Sequence, residues 1–327
     1  MSFRRVYYVS AVAAILICCI TPILFIDLGI STAGNDVLTS FPEVERNEAS
    51  ESESKPNNEN NEHYDGKVIE AFLSPYTAKE NFRNIYLNNR TESDINLEEI
   101  YNLPPNLSFK KNGEVEVLIL HTHATEGYLP KDMANYSQED IDQTEEESRS
   151  VIAVGEIIRK KLADYGIVAI HDKTLHDNPS YQESYNRAAE TTKKYLEEYP
   201  TIKIVIDIHR DSVSSNGGLI KGVSQQNGKD AAQIMFVAGS QTGKVSGFDK
   251  WQENLKLVLR LQEMAETLYP GLARAIYFTS KKYNQHLSTG SILIEVGTSV
   301  NSIEEAKYSA ELLGDILGIT FNLFAEE

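Results

Sequence analysis

Apolar positions fall along this chain in three regimes. From Val6 to Ile26 no charged residue occurs, close to the ~20-residue apolar length that spans a bilayer. Arg4 and Arg5 precede this run and Asp27 follows it. From 31 to about 66 the chain turns polar, with Glu48-Ala49-Ser50-Glu51-Ser52-Glu53-Ser54 and Asn57-Asn58-Glu59-Asn60-Asn61-Glu62. Such segments bury too little apolar surface to offset the entropy of ordering. Between 67 and 112 the pattern is weak, and Leu103-Pro104-Pro105 breaks any element. From 115 onward short apolar runs alternate with stretches of helical period.

The runs Val115–Leu120, 167–170, 202–208, 234–238, 275–278 and 292–296 read as strands. Apolar residues at Val151, Ile152, Val154, Ile157, Ile158 and Leu162 predict a helix over 150–165, ended by Gly166. Further helices are expected over 181–199, stopped by Pro200, and over 249–269, with Asp249 as N-cap. Ser302-Ile303-Glu304-Glu305 opens the last one with a capping-box spacing. This alternation predicts an α/β fold with a mostly parallel central sheet and helices on both faces. The expected organisation is a transmembrane anchor at 1–30, an acidic disordered linker at 31–66, and a domain at 67–327 whose lead-in, 67–112, is ill-defined. No internal repeat is evident.

Arginines before the apolar run put the N-terminus in the cytoplasm and the domain outside. A cleaved signal peptide fits the same start, but no A-x-A site closes the run. Cys18 and Cys19, the two cysteines, both lie within it, so no disulfide framework and no thiolate zinc site is available. A net charge of −17 argues against nucleic acid as a partner.

Chemistry gathers at the ends of three strands. His121-Thr122-His123-Ala124-Thr125-Glu126 follows the first strand, and Asp207-Ile208-His209-Arg210-Asp211-Ser212 runs out of the central one. Glu295 interrupts the apolar run Ile292-Leu293-Ile294-Glu295-Val296. Strand carboxyl ends are where ligands bind in α/β sheets. Two imidazoles with two carboxylates suit a catalytic zinc with a general base. Alternation along extended chain would let His121 and His123 face one site. Any one of these histidines is more often structural, so the weight lies in the combination. Asp207 or Asp211 could orient a ligand histidine, although Arg210–Asp211 also reads as an ion pair closing a loop. A glutamate buried at 295 would be raised in pKa and suited to proton transfer. Glu147, in an acidic run ahead of a helix, is an alternative ligand. His63, His171, His176 and His286 lie in linker or loop contexts, with His286 close to the Glu295 strand. No G-x-S-x-G elbow, Walker loop or dinucleotide fingerprint occurs, and Gly217-Gly218 reads as a flexible loop.

These motifs, with Gly127-Tyr128, Tyr283-Asn284-Gln285, Gly297 and Asn301-Ser302-Ile303-Glu304-Glu305-Ala306, resemble the stage II sporulation protein P family of endospore-forming bacteria. The resemblance covers roughly 115–320 and the N-terminal run. It implies a membrane-anchored zinc hydrolase of peptidoglycan with an amidase-like fold. It implies cleavage of the amide between N-acetylmuramic acid and L-alanine, with endopeptidase action on stem-peptide crosslinks also attributed to the family. It further implies sporulation proteins D and M as partners, and action in the intermembrane space during engulfment. His123 and His209 carry over as zinc ligands and Glu295 as the catalyst. The ligand glutamate stays open between Glu126, favoured by H-x-x-E, and Glu147. His121, Arg210 and Asp211 are expected to support ligands or touch substrate. Gly127 departs from the family's motif, where a serine is expected. A zinc carboxypeptidase or amidohydrolase acting on small peptides, and a catalytically silent wall-binding scaffold, are the competing readings.

Overall fold

The computed structural model describes residues 64–326. The apolar run at 6–26, the tether up to 63 and His63 lie outside the described residues. No helix among the described residues is long and apolar enough to cross a membrane. In chain order the elements begin with β1 (Gly66–Ala71), β2 (Glu80–Phe82), β3 (Ile85–Asn89), α1 (Leu97–Asn102) and β4 (Val115–Leu120). Next come β5 (Asn135–Tyr136), α2 (Gln138–Ile141), α3 (Val151–Asp164), β6 (Val168–His171), α4 (Ser184–Glu198) and β7 (Ile204–Asp211). The chain continues through β8 (Ser214–Ser215), β9 (Gly218–Gln226), β10 (Lys229–Ala232), β11 (Ile234–Gly239) and α5 (Trp251–Leu268). It closes with β12 (Ile276–Thr279), β13 (Ser291–Thr298) and α6 (Ile303–Asn322).

The main sheet has eight strands in the order β2-β3-β12-β11-β13-β7-β4-β6. It is a mixed sheet, with most of its ladders parallel and two antiparallel. β6, β4, β7 and β13 run parallel. β11 then enters antiparallel to β13, starting a second parallel group with β12 and β3, and β2 is antiparallel to β3. Apolar runs of equal length carry no direction, so the reversal at β11 was not readable from periodicity.

Period-two alternation divides the two faces. One face presents Val117 and Ile119 of β4, Ile204, Ile206 and Ile208 of β7, Ile292, Ile294 and Val296 of β13, and Ile234 and Phe236 of β11 to one large core. Helices α3, α5 and α6 cover that face through side chains such as Val154, Ile158, Leu259 and Ile316. Each such buried side chain contributes roughly 1.5–3 kcal/mol. On the other face α4 packs on Leu118, Leu120 and Val205 through Ala188, Tyr195 and Leu196. Met235, Val237 and Leu293 form a separate patch there, under Tyr277 and Tyr283. Helices therefore lie on both faces, as the alternation predicted. Between α4 and the Tyr283 patch the same face carries the polar positions Asp207, His209 and Glu295.

The lead-in is ordered, not loose. β3 extends the main sheet beside β12, and α1 buries Leu97 and Tyr101 in the large core. β1 becomes the middle of a second sheet, β10-β9-β1-β5 with β8 also on β9. Gly218, expected in a flexible loop, begins β9. The capping box at α6 is present, with Glu305 N–H donating to Ser302 Oγ and Ser302 N–H to Glu305 Oε2. The cap expected of Asp249 is not: Lys250 holds the N-cap position, and Asp249 accepts a hydrogen bond from Gln241 instead.

Candidate metal centre

β4 delivers its chain end into a tight loop. Glu126 N–H donates to His123 O at 3.2 Å, and Thr125 N–H and Oγ1 bond Asp177. This turn brings Glu126 back over the sheet between His123 and His209. His123 Nδ1 and His209 Nδ1 each lie 3.4 Å from a different oxygen of Glu126. One donor atom from each of the three residues lies within 4.8 Å of the others. Two tetrahedral ligand atoms at zinc-bond lengths stand ~3.3 Å apart, so the spacing fits such an ion. Two imidazoles and a carboxylate are also a zinc donor set.

The far nitrogen of each imidazole has a polar neighbour of its own. Ser184 Oγ, at the start of α4, lies 3.0 Å from His123 Nε2. Asp207 Oδ1 lies 3.0 Å from His209 Nε2, an ion-pair approach rather than an aligned hydrogen bond. Asp207 is itself fixed by Thr122 N–H at 2.8 Å and Thr122 Oγ1 at 2.6 Å. Of the two aspartates considered as orienting groups, Asp207 is the one beside His209.

Burial alone would raise the Glu126 carboxyl, but His209 and His123 outweigh it and hold it well below the usual range. Burial alone would strip His209 of charge, but Asp207 and Glu126 outweigh it and push its pKa well up. The cluster is thus an anion-rich cradle that favours positive charge at its centre. Glu295 behaves oppositely. Burial pushes its carboxyl well above the usual range, with Asp211 and Glu126 adding to the shift against the opposing pull of His209. Its Oε2 has no hydrogen-bond partner among the described residues. Glu295 stands beside His209 in the β13–β7 ladder, and the register slips immediately after it. Gly297 accommodates that bulge at φ +71°, where a Cβ would meet Ala232 Cβ at 2.9 Å.

The other expected residues lie elsewhere. Glu147 is 57% exposed and pairs with Lys173 at 2.9 Å, outside the cluster. His121 does not share a side with His123: it is buried toward α3. There its Nδ1 meets Ile208 O at 3.0 Å and its Nε2 meets His171 Nε2 at 2.8 Å. Burial, followed by His171, lowers its pKa to about 3, so it is a neutral strut. The extended conformation that would align the two histidines ends at Leu120, where β4 stops. His176 bonds His121 O and Thr191, and His286 packs against Phe248. Arg210 donates its backbone N–H to Glu126 Oε2 at 3.0 Å. Its guanidinium is held by Gly127 O and Ile141 O rather than turned into the cluster. Asp211 pairs with Arg274 at 2.6 Å.

Sequence reasoning missed an aromatic collar. Tyr181 stacks on His123 with centroids 4.2 Å apart. Tyr185 stands edge-on to His123 at 5.5 Å and 5.9 Å from Tyr283. Tyr181 precedes α4, which begins at Ser184, so no helical spacing links it to Tyr185, and its contact with His123 left no signal in the sequence.

A family model described as Stage II sporulation protein P (SpoIIP) matches residues 28–318. The Stage II sporulation protein P of Bacillus subtilis (strain 168) is 29% identical over 213 residues, covering 61% of this chain and 49% of that relative. The chain thus spans about half the length of that curated relative. Among solved structures, the CwlD amidase from Clostridioides difficile, in complex with the GerS lipoprotein, has 13% identity and a TM-score of 0.37, covering 64% of this chain and 98% of its own. The N-acetylmuramoyl-L-alanine amidase AmiC2 of Nostoc punctiforme has 12% identity and a TM-score of 0.36, covering 65% of this chain and 97% of its own. With its family model matched over most of its length, the chain belongs to the stage II sporulation protein P family.

Proposed function

We propose that this chain is a zinc-dependent peptidoglycan hydrolase that cleaves the amide between N-acetylmuramic acid and L-alanine, with stem-peptide crosslinks as a further substrate. The observation that carries the reading is the buried His123–Glu126–His209 cluster with the unpartnered carboxyl of Glu295 beside it. The family resemblance supplies the choice of bond. In this reading the uncharged run at 6–26 anchors the chain in the cell membrane with its domain outside the cytoplasm. The domain then works in the intermembrane space during engulfment, beside sporulation proteins D and M.

His123, Glu126 and His209 would hold the zinc. The metal supplies Lewis acidity and brings the pKa of water down to roughly 7. Ser184 and Asp207 stand at the two Nε2 atoms, which would leave Nδ1 of each ring for the metal. Glu295 takes the proton of the attacking water and returns it to the departing amine of L-alanine. Burial suits it to both tasks, because a carboxyl pushed above its usual range holds a proton more firmly between accepting it and passing it on.

The test uses the full chain, with zinc content and release of stem peptides from purified sacculi measured together. Glu126→Ala is expected to lose both, and Glu147→Ala to keep both. Zinc retained in Glu126→Ala would remove that residue from the ligand set. Cleavage of free peptides without attack on sacculi would replace the wall polymer as substrate.

A further inference from the structure

The side chains of the site stand in a line across the main sheet. His123 follows β4, His209 lies on β7 and Glu295 on β13, and these strands are neighbours. Arg274 continues the line. Its backbone N–H donates to Ile234 O at 2.8 Å, which places it one strand spacing beyond β11 and roughly 10 Å from β13. Yet its guanidinium meets Asp211 Oδ2, on β7, at 2.6 Å. Asp211 shares a face with Asp207 and His209, because side chains alternate along a strand. The Arg274 side chain therefore crosses back over β11 and β13 on the face that carries Glu295. Burial raises the Glu295 carboxyl, and Arg274 is among the charges that oppose it.

The Arg274 side chain is only 12% exposed, and the bond to Asp211 is the one its guanidinium makes among the described residues. The rest of its donor fork has no partner there. Buried donors are seldom left so, and a fork with open N–H groups points to a ligand. Its match is a carboxylate, which accepts two parallel N–H bonds. The place of Arg274 in the line selects the part of the substrate. In the amidase reading above, on which this inference rests, Glu295 returns its proton to the departing amine. The peptide bearing that amine then lies on the Glu295 side of the metal cluster, and Arg274 stands farther along that side. Arg210, the arginine nearer the cluster, is held by Gly127 O and Ile141 O instead. We infer that Arg274 is a specificity-determining residue that binds a free carboxylate of the stem peptide, on the amine side of the scissile bond.

The experiment measures binding to the full, zinc-loaded chain by calorimetry. The probes are a free stem peptide with its carboxylates intact and the same peptide with them amidated. The wild type is expected to bind the acid ~10-fold more tightly than the amide, the size of one charge-assisted pairing. Arg274→Gln alone would leave Asp211 buried and unpaired, which destabilises a fold by itself. The variant used is therefore Asp211→Asn combined with Arg274→Gln, and its preference for the acid should vanish. Arg274→Lys, which keeps a charge beside Asp211, should retain part of that preference. A wild type that does not distinguish the two peptides overturns the inference. So does a double variant that keeps the wild-type ratio, even if it binds both peptides more weakly, because the pair would then be a structural brace. The ratio needs no turnover. A wild type that prefers the acid but releases no stem peptides from sacculi defeats the amidase reading and leaves the carboxylate site standing.

Discussion

At Gly155 the demands of helix and site oppose each other. Alanine in a helix interior is favoured over glycine by ~1 kcal/mol. Here a Cβ would stand 2.7 Å from His171 Nε2 and 2.9 Å from His121 Nε2. Neither imidazole can yield, because His121 is tied to Ile208 O and His171 to Glu156. Overpacking of this kind costs ~1–3 kcal/mol, so Gly155→Ala is expected to lower the urea midpoint despite the better helix former. Glu295→Gln is the complementary case. It should lose ~100-fold or more in turnover with zinc content unchanged, and near-normal peptide release would remove Glu295 from the chemistry. At this scale the sequence marked His123, Glu126, His209 and Glu295 because these polar residues interrupt apolar runs or directly follow them. It could not separate Glu126 from Glu147, since the turn that folds Glu126 back rests on Asp177, remote in sequence. Nor could it orient His121, whose partners come from β6 and β7.

Among elements, the seam between α3 and β6 predicts an acid limit. Glu156 is lowered to about 2, chiefly by its hydrogen bond with Arg159 and then, against an opposing burial effect, by His171. A carboxyl with its folded pKa below its unfolded value stabilises the fold above the unfolded pKa. That stability is lost as pH falls from about 4.5 to about 2. Urea midpoints of the wild type should decline through this window, and Glu156→Gln should show a shallower decline there. Equal slopes would remove Glu156 as a cause. Local rules predicted α3 and α6 closely, because their caps are encoded within four residues. The β9–β10 hairpin carried an equally local signal, Asn227-Gly228 at φ 51° and 78°, a pair suited to a two-residue turn. The register closes around it, with Gln226 opposite Lys229. Weak apolar alternation in β9 masked that turn, and the strand's partner, β1, lies too far away in sequence for periodicity to report.

For the whole molecule, the N-terminal part of the domain is structural. β3 covers β12, and α1 completes the large core. A chain beginning at residue 113 would bare the β12 edge and leave β9 without β1. Such edges pair with other chains, so that chain should aggregate or lose cooperative unfolding, while one beginning at residue 64 should not. Light scattering and urea titration of the two would decide. The sheet order was beyond the sequence for the same reason: its joins link distant segments, such as Leu87 of β3 opposite Ile276 of β12. Those joins also set a timetable. Long-range pairings form slowly, because their loop entropy must be met before the contact gives anything back. As the chain emerges from synthesis, β2 and β3 have only each other, and β1 only the two-residue β5, until β9 and β12 follow. The first segment of the domain to be made is therefore among the last to be seated, and until then it is the part most open to proteases.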